Sequence, residues 1–288
     1  MVMSENEANS FCVEVNGWTV WCEKFGSGPK PILLIPGAIG TGRSDYEEQL
    51  EGADKLDHDK FTLIAVELPG WGRSRPPVRK YGTGVYDNDA ECLHKLMQEL
   101  NYNKYSLIGW SDGANVALRM ATKYRQSVES LILVSVYTYV TNDSLKALTS
   151  SQSVDNWSKQ KLQSYLQSYD NKDVIQQLWT KYVRFIEYYN QYFPENKNNY
   201  QSIKCKTLLI HGEKDKWCDL SQIKKLKQII NGSNAYMIPN GDHNCHLKYA
   251  SIFKEVAEDF LLGRFVDPDE NDDPHSGPND QMKNMFIQ

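Results

Sequence analysis

A serine set between two glycines is the first residue of the sequence whose type and spacing suggest chemistry. Residues 109–113 read Gly-Trp-Ser-Asp-Gly, which places Ser111 in a G-x-S-x-G pattern. Such a serine can occupy a sharp turn between a strand and a helix, where its hydroxyl is exposed and can attack a carbonyl carbon. An ordinary serine in a glycine-bounded turn gives the same pattern, because so short a motif also occurs by chance. The rest of the chain must decide between these interpretations.

A nucleophilic serine needs a base that accepts its proton and an acid that orients the base. For the G-x-S-x-G arrangement, the order along the chain is serine, then aspartate or glutamate, then histidine. Asp215 follows the predicted strand that ends at Ile210, and His243 follows the last predicted strand, residues 235–239. We therefore predict that Ser111, Asp215 and His243 form a catalytic triad. The competing candidates are His211 and His246 for the base, and Glu213, Asp219 and Asp242 for the acid.

The backbone around Ser111 also predicts where a negatively charged oxygen would be held during the reaction. The N–H of Asp112 directly follows the nucleophile, and a second N–H is expected from the glycine-rich loop 36–42, at Ala38. The Asp112 carboxylate could simply favour the helix N-terminus. Next to a developing oxyanion, however, it is electrostatically costly unless a substrate cation offsets it. Asp112 is therefore a predicted substrate contact, and Trp110, on the other side of Ser111, is a second one.

Short apolar segments alternate with helical segments along most of the chain. The segments before and after Ser111 follow this alternation, with strand-like residues 105–108 and helix-forming residues 114–121. The other strand-like segments are residues 31–35, 61–68, 130–136 and 205–210. This order predicts the α/β fold class with a doubly wound, mostly parallel sheet. Asn16-Gly17 between two β-rich runs predicts an N-terminal β-hairpin.

A long interruption of this alternation predicts a helical cap. Residues 139–204 contain no strand-like run, and their helical segments, 157–169 and 174–193, are rich in Tyr and Trp. In an open α/β sheet, such an insertion is expected over the carboxyl ends of the strands, where ligands bind. The predicted division is a core of residues 1–138, a cap of residues 139–204, a second core segment of residues 205–264, and an acidic tail of residues 265–288. The tail is expected to be disordered.

Composition and charge exclude several classes of function. The net charge is −5, and the tail from Phe265 onward carries all of it, so that the remaining chain is balanced and has no basic stripe for nucleic acid. No apolar run approaches the length of a membrane span, and the acidic, polar N-terminus predicts a cytoplasmic protein. The six cysteines have no metal-site or disulfide spacing. We expect a monomer that takes a small-molecule ester substrate without a metal or cofactor.

Motifs in order along the chain resemble those of the α/β-hydrolase superfamily, and within it the valacyclovirase-like (biphenyl hydrolase-like) amino-acid ester hydrolases. The matching stretches are residues 34–37, 72–77, 107–113, 139–141, 211–215 and 243–247. The acid at Asp112 is the most specific match, because most α/β-hydrolases carry none there. The resemblance implies the triad Ser111, Asp215 and His243, and an Asp112 that binds the α-ammonium group of the substrate. This chain departs from the group at Ala114 and at residues 216–218.

The residues and the resemblance together predict a serine esterase that cleaves carboxylic esters, in particular α-amino-acid esters, through an acyl-enzyme intermediate. Two alternatives remain open. A carbon–carbon bond hydrolase of the same fold would use the same triad, but it gives no reason for an acid beside the serine. A hydrolase-like binding protein would keep the pocket and show little turnover.

Overall fold

The computed structural model describes residues 10–192 and 199–267. Within these residues, one eight-stranded sheet has the order β1-β2-β4-β3-β5-β6-β7-β8. The strands are β1 (Ser10–Val15), β2 (Trp18–Phe25), β3 (Lys30–Ile35), β4 (Phe61–Val66), β5 (Tyr105–Trp110), β6 (Val128–Val134), β7 (Lys206–Gly212) and β8 (Asn234–Ile238). The helices are α1 (Gly42–Leu50), α2 (Val85–Glu99), α3 (Asp112–Lys123), α4 (Asn142–Ser150), α5 (Lys159–Leu166), α6 (Lys172–Tyr192), α7 (Ser221–Ile229), α8 (Cys245–Lys248) and α9 (Ala250–Leu261).

The sheet is mostly parallel, as predicted. Strands β3 to β8 pair in parallel, whereas β1 pairs antiparallel with β2 and β2 pairs antiparallel with β4. The turn between β1 and β2 has positive φ at both Asn16 (53°) and Gly17 (79°), which matches the right-handed twist of the two strands. The predicted N-terminal hairpin is therefore confirmed.

Helices cover both faces of the sheet, and this burial explains why the central strands are apolar throughout. On one face, α2, α3 and α7 contribute side chains such as Leu93, Val116 and Leu226 to a single apolar cluster. On the other face, α1 and α9 contribute Leu50 and Phe253 to a second cluster. A strand with both faces buried needs apolar residues at every position rather than at alternate positions. The doubly wound architecture is confirmed.

Between β6 and β7 the chain forms α4, α5 and α6, which confirms a helical insertion in the sheet. The predicted segment 157–169 contains a shorter helix, Lys159–Leu166, and the insertion also contains α4, which the aromatic pattern did not indicate. Its aromatic rings pack on one another: Trp179 lies 5.4 Å from both Trp157 and Tyr182, centroid to centroid. The boundaries 139–204 stay a prediction.

The start of the predicted acidic tail packs on the folded body. Phe265 contacts the ring of Phe260 edge-on, and Asp267 is 3% exposed and accepts a hydrogen bond from Asn234. The rest of the predicted tail, from residue 268, lies outside the described residues. No helix in the part of the chain that the structure describes is long and apolar enough to span a membrane.

Candidate active site

Ser111 occupies a sharp turn between the end of β5 and the start of α3. Its backbone has φ 54° and ψ −116°, a conformation that residues with a side chain rarely adopt. The glycines around it leave room for close packing: a Cβ at Gly113 would lie 2.3 Å from the carbonyl oxygen of Ile35, and one at Gly109 would lie 2.7 Å from the oxygen of Gly113. The turn therefore requires both glycines of the motif.

The structure brings together the three residues that the sequence suggested as a triad. His243 Nε2 lies 2.9 Å from Ser111 Oγ, and His243 Nδ1 lies 2.9 Å from Asp215 Oδ2. Asp215 Oδ1 also accepts hydrogen bonds from the backbone N–H groups of Trp217 and Cys218. Burial by itself would raise the pKa of Asp215, but the adjacent His243 and the hydrogen bonds lower it to about 2. The carboxylate is therefore ionised at neutral pH and orients His243 Nε2 toward the serine.

The competing candidates for base and acid have other partners. His211 Nε2 bonds to the backbone oxygen of Cys218, and His246 Nε2 bonds to that of Asp45. Among the acids, Asp219 Oδ1 accepts from the N–H of Ser221 and Asp242 Oδ1 accepts from the N–H of Asn244. Glu213 Oε2 accepts from the N–H of Asn240. The Asp219 and Asp242 contacts are local, two residues along the chain, whereas the His211, His246 and Glu213 contacts join more distant segments. In the described residues, none of the five side chains is bonded to Ser111 or His243.

A cavity of about 470 Å³ opens beside the Ser111 hydroxyl. Helices of the insertion form one side through Leu148, Tyr165, Trp179 and Tyr182, and the strand-end loops form another through Ala38 and Trp217. The volume lies within the range of small-molecule sites, roughly 300–1,000 Å³. The predicted substrate contact Trp110 also lines the cavity, and its indole N–H donates to the backbone oxygen of His243 over 2.9 Å.

The carboxylate of Asp112 lies below the cavity surface. Asp112 is 1% exposed, and its Oδ1 accepts hydrogen bonds from the hydroxyls of Tyr86 (2.6 Å), Tyr137 (2.8 Å) and Tyr182 (3.1 Å). Burial raises the pKa of Asp112, although the tyrosine hydroxyls and Arg79 oppose that shift. Among the described residues, Tyr137 and Tyr182 line the cavity and Asp112 does not. The cavity therefore meets this acid through two tyrosines, an arrangement that the motif did not indicate.

The glycine-rich loop after β3 lies at the serine, and a buried acid holds it there. Ala38 lines the cavity, and the N–H of Gly37 donates to Asp45 Oδ2 over 2.8 Å. A Cβ at Gly40 would lie 1.9 Å from the same carboxylate, so the loop packs directly on it. In the described part of the chain, the backbone N–H groups of Ala38 and Asp112 donate to no protein acceptor. Both are thus free to bind a substrate oxygen.

Within the described residues, metal-ligand spacing occurs in one group, Asp215, Cys218 and His243, whose ligand atoms lie within 4.8 Å of one another. Two of these three residues are the acid and the base of the hydrogen-bonded chain to Ser111. The third, Cys218, directs its Sγ to the carbonyl oxygen of Ser135, 3.1 Å away. The group is therefore accounted for by hydrogen bonds within the protein.

Comparison with known proteins identifies the family of the chain. Residues 30–146 match the family described as alpha/beta hydrolase fold. The mouse protein serine hydrolase BPHL is 33% identical over 252 residues, which cover 86% of this chain and 85% of the mouse protein. The chain belongs to the α/β-hydrolase family.

Two more distant proteins share the fold of this α/β-hydrolase. The 2-hydroxy-6-oxononadienedioate/2-hydroxy-6-oxononatrienedioate hydrolase of Escherichia coli is 22% identical over 257 residues, which cover 82% of this chain and 88% of that protein. The crystal structure of a putative lipase from Acinetobacter baumannii superposes with a TM-score of 0.69 at 20% identity, covering 90% of this chain and 93% of the lipase. The predicted fold class and the resemblance are confirmed, and the chain is a hydrolase.

Several residues of the site in this α/β-hydrolase were not indicated by the sequence. Asp45 lies in α1 without any motif. The ring of Trp217, in the loop after Asp215, stacks on the ring of His243 with a centroid separation of 5.4 Å. Tyr86, Tyr137 and Tyr182 converge on Asp112 from α2, from the end of β6 and from α6. Their convergence is a property of the tertiary fold. The density of tyrosine in the insertion was the one signal available.

The buried carboxyl of Asp45 makes the stability of this α/β-hydrolase depend on pH. Burial raises the pKa of Asp45 to about 6, so the folded state binds a proton more tightly than the unfolded state. The ionised carboxyl of Asp45 therefore destabilises the folded state. This destabilisation is absent below the pKa that Asp45 has in the unfolded chain, and it grows as the pH rises to its pKa in the folded state. We expect Asp45→Asn to gain about 1 to 3 kcal/mol of unfolding free energy relative to wild type between about pH 4 and about pH 7, measured by urea unfolding.

The matched control for this change is Asp59→Asn, at an exposed position. Its unfolding free energy relative to wild type should not vary with pH over the same range. Changing the hydrogen bonds of residue 45 shifts the unfolding free energy of Asp45→Asn by the same amount at every pH. Only the pH dependence of the difference in unfolding free energy between Asp45→Asn and wild type therefore tests the argument. A difference between Asp45→Asn and wild type that is the same at both ends of the range would contradict it.

Proposed function

We propose that this α/β-hydrolase is a serine esterase. Ser111 Oγ attacks the ester carbonyl carbon, and His243 Nε2 accepts the serine proton and passes it to the leaving alcohol. Water, activated by the same imidazole, then hydrolyses the acyl-enzyme. Asp215 holds the imidazole and stabilises its protonated form, and the N–H groups of Ala38 and Asp112 bind the oxyanion. The observation that carries this proposal is the continuous chain of hydrogen bonds, 2.9 Å from Asp215 to His243 and 2.9 Å from His243 to Ser111.

We further propose that the substrates are α-amino-acid esters. Asp112 adds a buried negative charge immediately after the nucleophile, where it would disfavour the oxyanion unless a cation accompanies the substrate. An α-ammonium group on the acyl part of the ester lies one carbon from the reacting carbonyl and supplies that cation. Tyr137 and Tyr182 line the cavity, and their hydroxyls donate to Asp112 Oδ1. The hydroxyl oxygens can accept the ammonium protons while the carboxylate polarises them.

The test compares two esters that differ only in the α-amino group, the ethyl esters of alanine and of propionic acid. We expect wild type to hydrolyse the alanine ester with a kcat/KM at least about 100-fold higher, because an unpaired buried charge typically costs about 3 to 5 kcal/mol. The release of ethanol, followed in a coupled assay, measures both rates. Equal rates for the two esters would contradict the amino-ester proposal and leave the esterase proposal standing.

The same assay separates the other candidate functions. A binding protein with little turnover predicts saturable binding of the alanine ester, measured by calorimetry, without release of ethanol. A carbon–carbon bond hydrolase predicts that neither ester is a good substrate. Either result would contradict the esterase proposal.

A further inference from the structure

Lys161, on helix α5 of the insertion, brings a partly buried positive charge to the wall of the catalytic cavity. Its side chain lines the same cavity as Ser111 and His243. Aromatic rings surround its ammonium group: Nζ lies 4.0 Å from the ring centroid of Trp157, and 5.8 Å from those of Tyr165 and Trp179. The mechanism proposed above makes no use of this charge.

The ammonium of Lys161 has no carboxylate partner within 4.0 Å in the described part of the protein. Burial lowers the pKa of Lys161 to about 8, and the carboxylate of Asp45 opposes that shift, so the charged form predominates at neutral pH. The aromatic faces offset part of the cost of desolvating the charge. They do not accept strong hydrogen bonds, however, so the N–H donors of Lys161 are available to a ligand in the cavity.

The other charged residues of the cavity wall add to this positive potential. Lys214, Lys216 and Lys248 also line the cavity, and Asp242 is the acidic residue that lines it among those described. Asp242 lies 3.9 Å from Lys248 and is thereby already paired. A cavity wall lined in this way attracts anions, whereas the buried Asp112 beneath it favours an ammonium group. An α-amino ester that also carries an anionic group would match both the acid at Asp112 and the positive charges of the cavity wall.

We propose that Lys161 binds a carboxylate group of the substrate that is separate from the ester undergoing hydrolysis. This inference rests on the proposed function, because it names the kind of amino-acid ester that the site selects. The rings of Trp179 and Tyr182 stack with a centroid separation of 5.4 Å. At one end of this pair, Lys161 Nζ lies 5.8 Å from the ring centroid of Trp179. At the other end, the hydroxyl of Tyr182 donates to Asp112 Oδ1 over 3.1 Å. The buried charge of Asp112 and the partly buried charge of Lys161 thus lie on either side of one aromatic pair, and a zwitterionic ester matches them both.

The experiment compares esters that carry a carboxylate with esters that carry a carboxamide of the same shape. One pair places the group in the acyl part: the α-methyl esters of glutamate and of glutamine. A second pair places it in the alcohol: the alanine esters of lactate and of lactamide. In at least one pair, we expect wild type to prefer the carboxylate member by about 10- to 100-fold in kcat/KM, mainly through KM, as for a charge-assisted hydrogen bond.

Three variants test whether this preference belongs to Lys161. Lys161→Met removes the charge and keeps an apolar stem in the aromatic cage, and it should bring the ratio of the two kcat/KM values to about 1. Lys161→Arg keeps the charge and should retain a preference. Lys146→Met, at a lysine on the same insertion with a 78% exposed side chain, should keep the wild-type ratio. A thermal melt of each variant reports folding.

The proposal is overturned if wild type shows no preference in either pair. It is also overturned if Lys161→Met lowers both kcat/KM values and leaves their ratio unchanged, as a structural role would. Binding of glutarate, with neutral glutaramide as the reference, is measured by calorimetry on the wild type and on Lys161→Met. If no ester is hydrolysed but glutarate binds to the wild type and not to Lys161→Met, the esterase proposal has failed and the Lys161 site stands.

Discussion

Ser111→Ala is expected to lower kcat for hydrolysis of the alanine ester by about 10⁴- to 10⁶-fold, because the variant has no nucleophile to form the acyl-enzyme. KM should change little, since the cavity wall stays in place. The imidazole of His243 loses its 2.9 Å partner but keeps Asp215, so its orientation persists. Initial rates at saturating substrate measure the loss, and the absence of a pre-steady-state burst shows that no acyl-enzyme accumulates.

A second substitution at the same position separates chemistry from backbone strain. Residue 111 has φ 54° and ψ −116°, where any residue with a Cβ is strained by about 1 to 3 kcal/mol and glycine is not. Ser111→Gly should therefore be inactive, like Ser111→Ala, and should be more stable than Ser111→Ala by about 1 kcal/mol or more. Urea unfolding measures this difference in free energy.

The control for both variants is Ser150→Ala, at an exposed position of α4, which should keep wild-type kcat and stability. Two outcomes would contradict the argument. If Ser111→Ala retained more than about one hundredth of the wild-type kcat, Ser111 would not be the nucleophile, because that loss is far smaller than removal of a catalytic serine causes. If Ser111→Ala were more stable than Ser111→Gly, the turn would not be strained.

The fold could be predicted from the sequence because its central strands are buried on both faces. Such strands are short apolar runs whatever their partners, so β3, β5 and β7 are recognisable without any knowledge of the sheet order. Helix α1 was not predicted, and the reason is visible in its buried polar residues. Asp45 and Gln49 lie on its buried side, so the helix lacks the apolar stripe that would reveal it.

The candidate triad could be predicted because the carboxyl ends of parallel strands meet at one edge of the sheet. Ser111, Asp215 and His243 each follow such a strand, so their order in the chain was enough to place them together. The wall of the cavity could not be predicted in this way. Lys161 and Tyr182 belong to helices whose position over the sheet depends on packing rather than on strand order, and an aromatic helix face has the same pattern whether it lines a core or a pocket.

The tail shows a similar limit of reasoning from composition. A run of acids and prolines predicts that a segment cannot build a core, yet it does not say where the last contact with the folded body lies. Asp267 belongs to this acidic run, but it accepts hydrogen bonds from Asn234 and Lys227 beside β8. A carboxylate with partners on a neighbouring element is ordered by those partners, and only the structure identifies them.

Asp112→Asn is expected to remove the preference for the amino ester. The substitution keeps the shape of the side chain and an Oδ1 acceptor for the three tyrosine hydroxyls, and it removes the negative charge. The α-ammonium of the substrate then has no buried partner, so the ratio of kcat/KM for the alanine ester over the propionate ester should fall by about 100-fold or more. Because the oxyanion no longer faces a neighbouring carboxylate, kcat for the propionate ester should rise rather than fall.

The control for this prediction is Tyr86→Phe, which removes one of the three donors to Asp112 and leaves the charge. Tyr86 is buried beside Asp112, and among the described residues it does not line the cavity, so the substrate does not meet its hydroxyl. This variant should keep a preference for the amino ester within a few-fold of wild type, even if it melts at a lower temperature. If Asp112→Asn also kept the preference, the carboxylate would serve only as an acceptor that holds the three tyrosines in place. In that case the selectivity of the site would have to come from the hydroxyls of Tyr137 and Tyr182 alone.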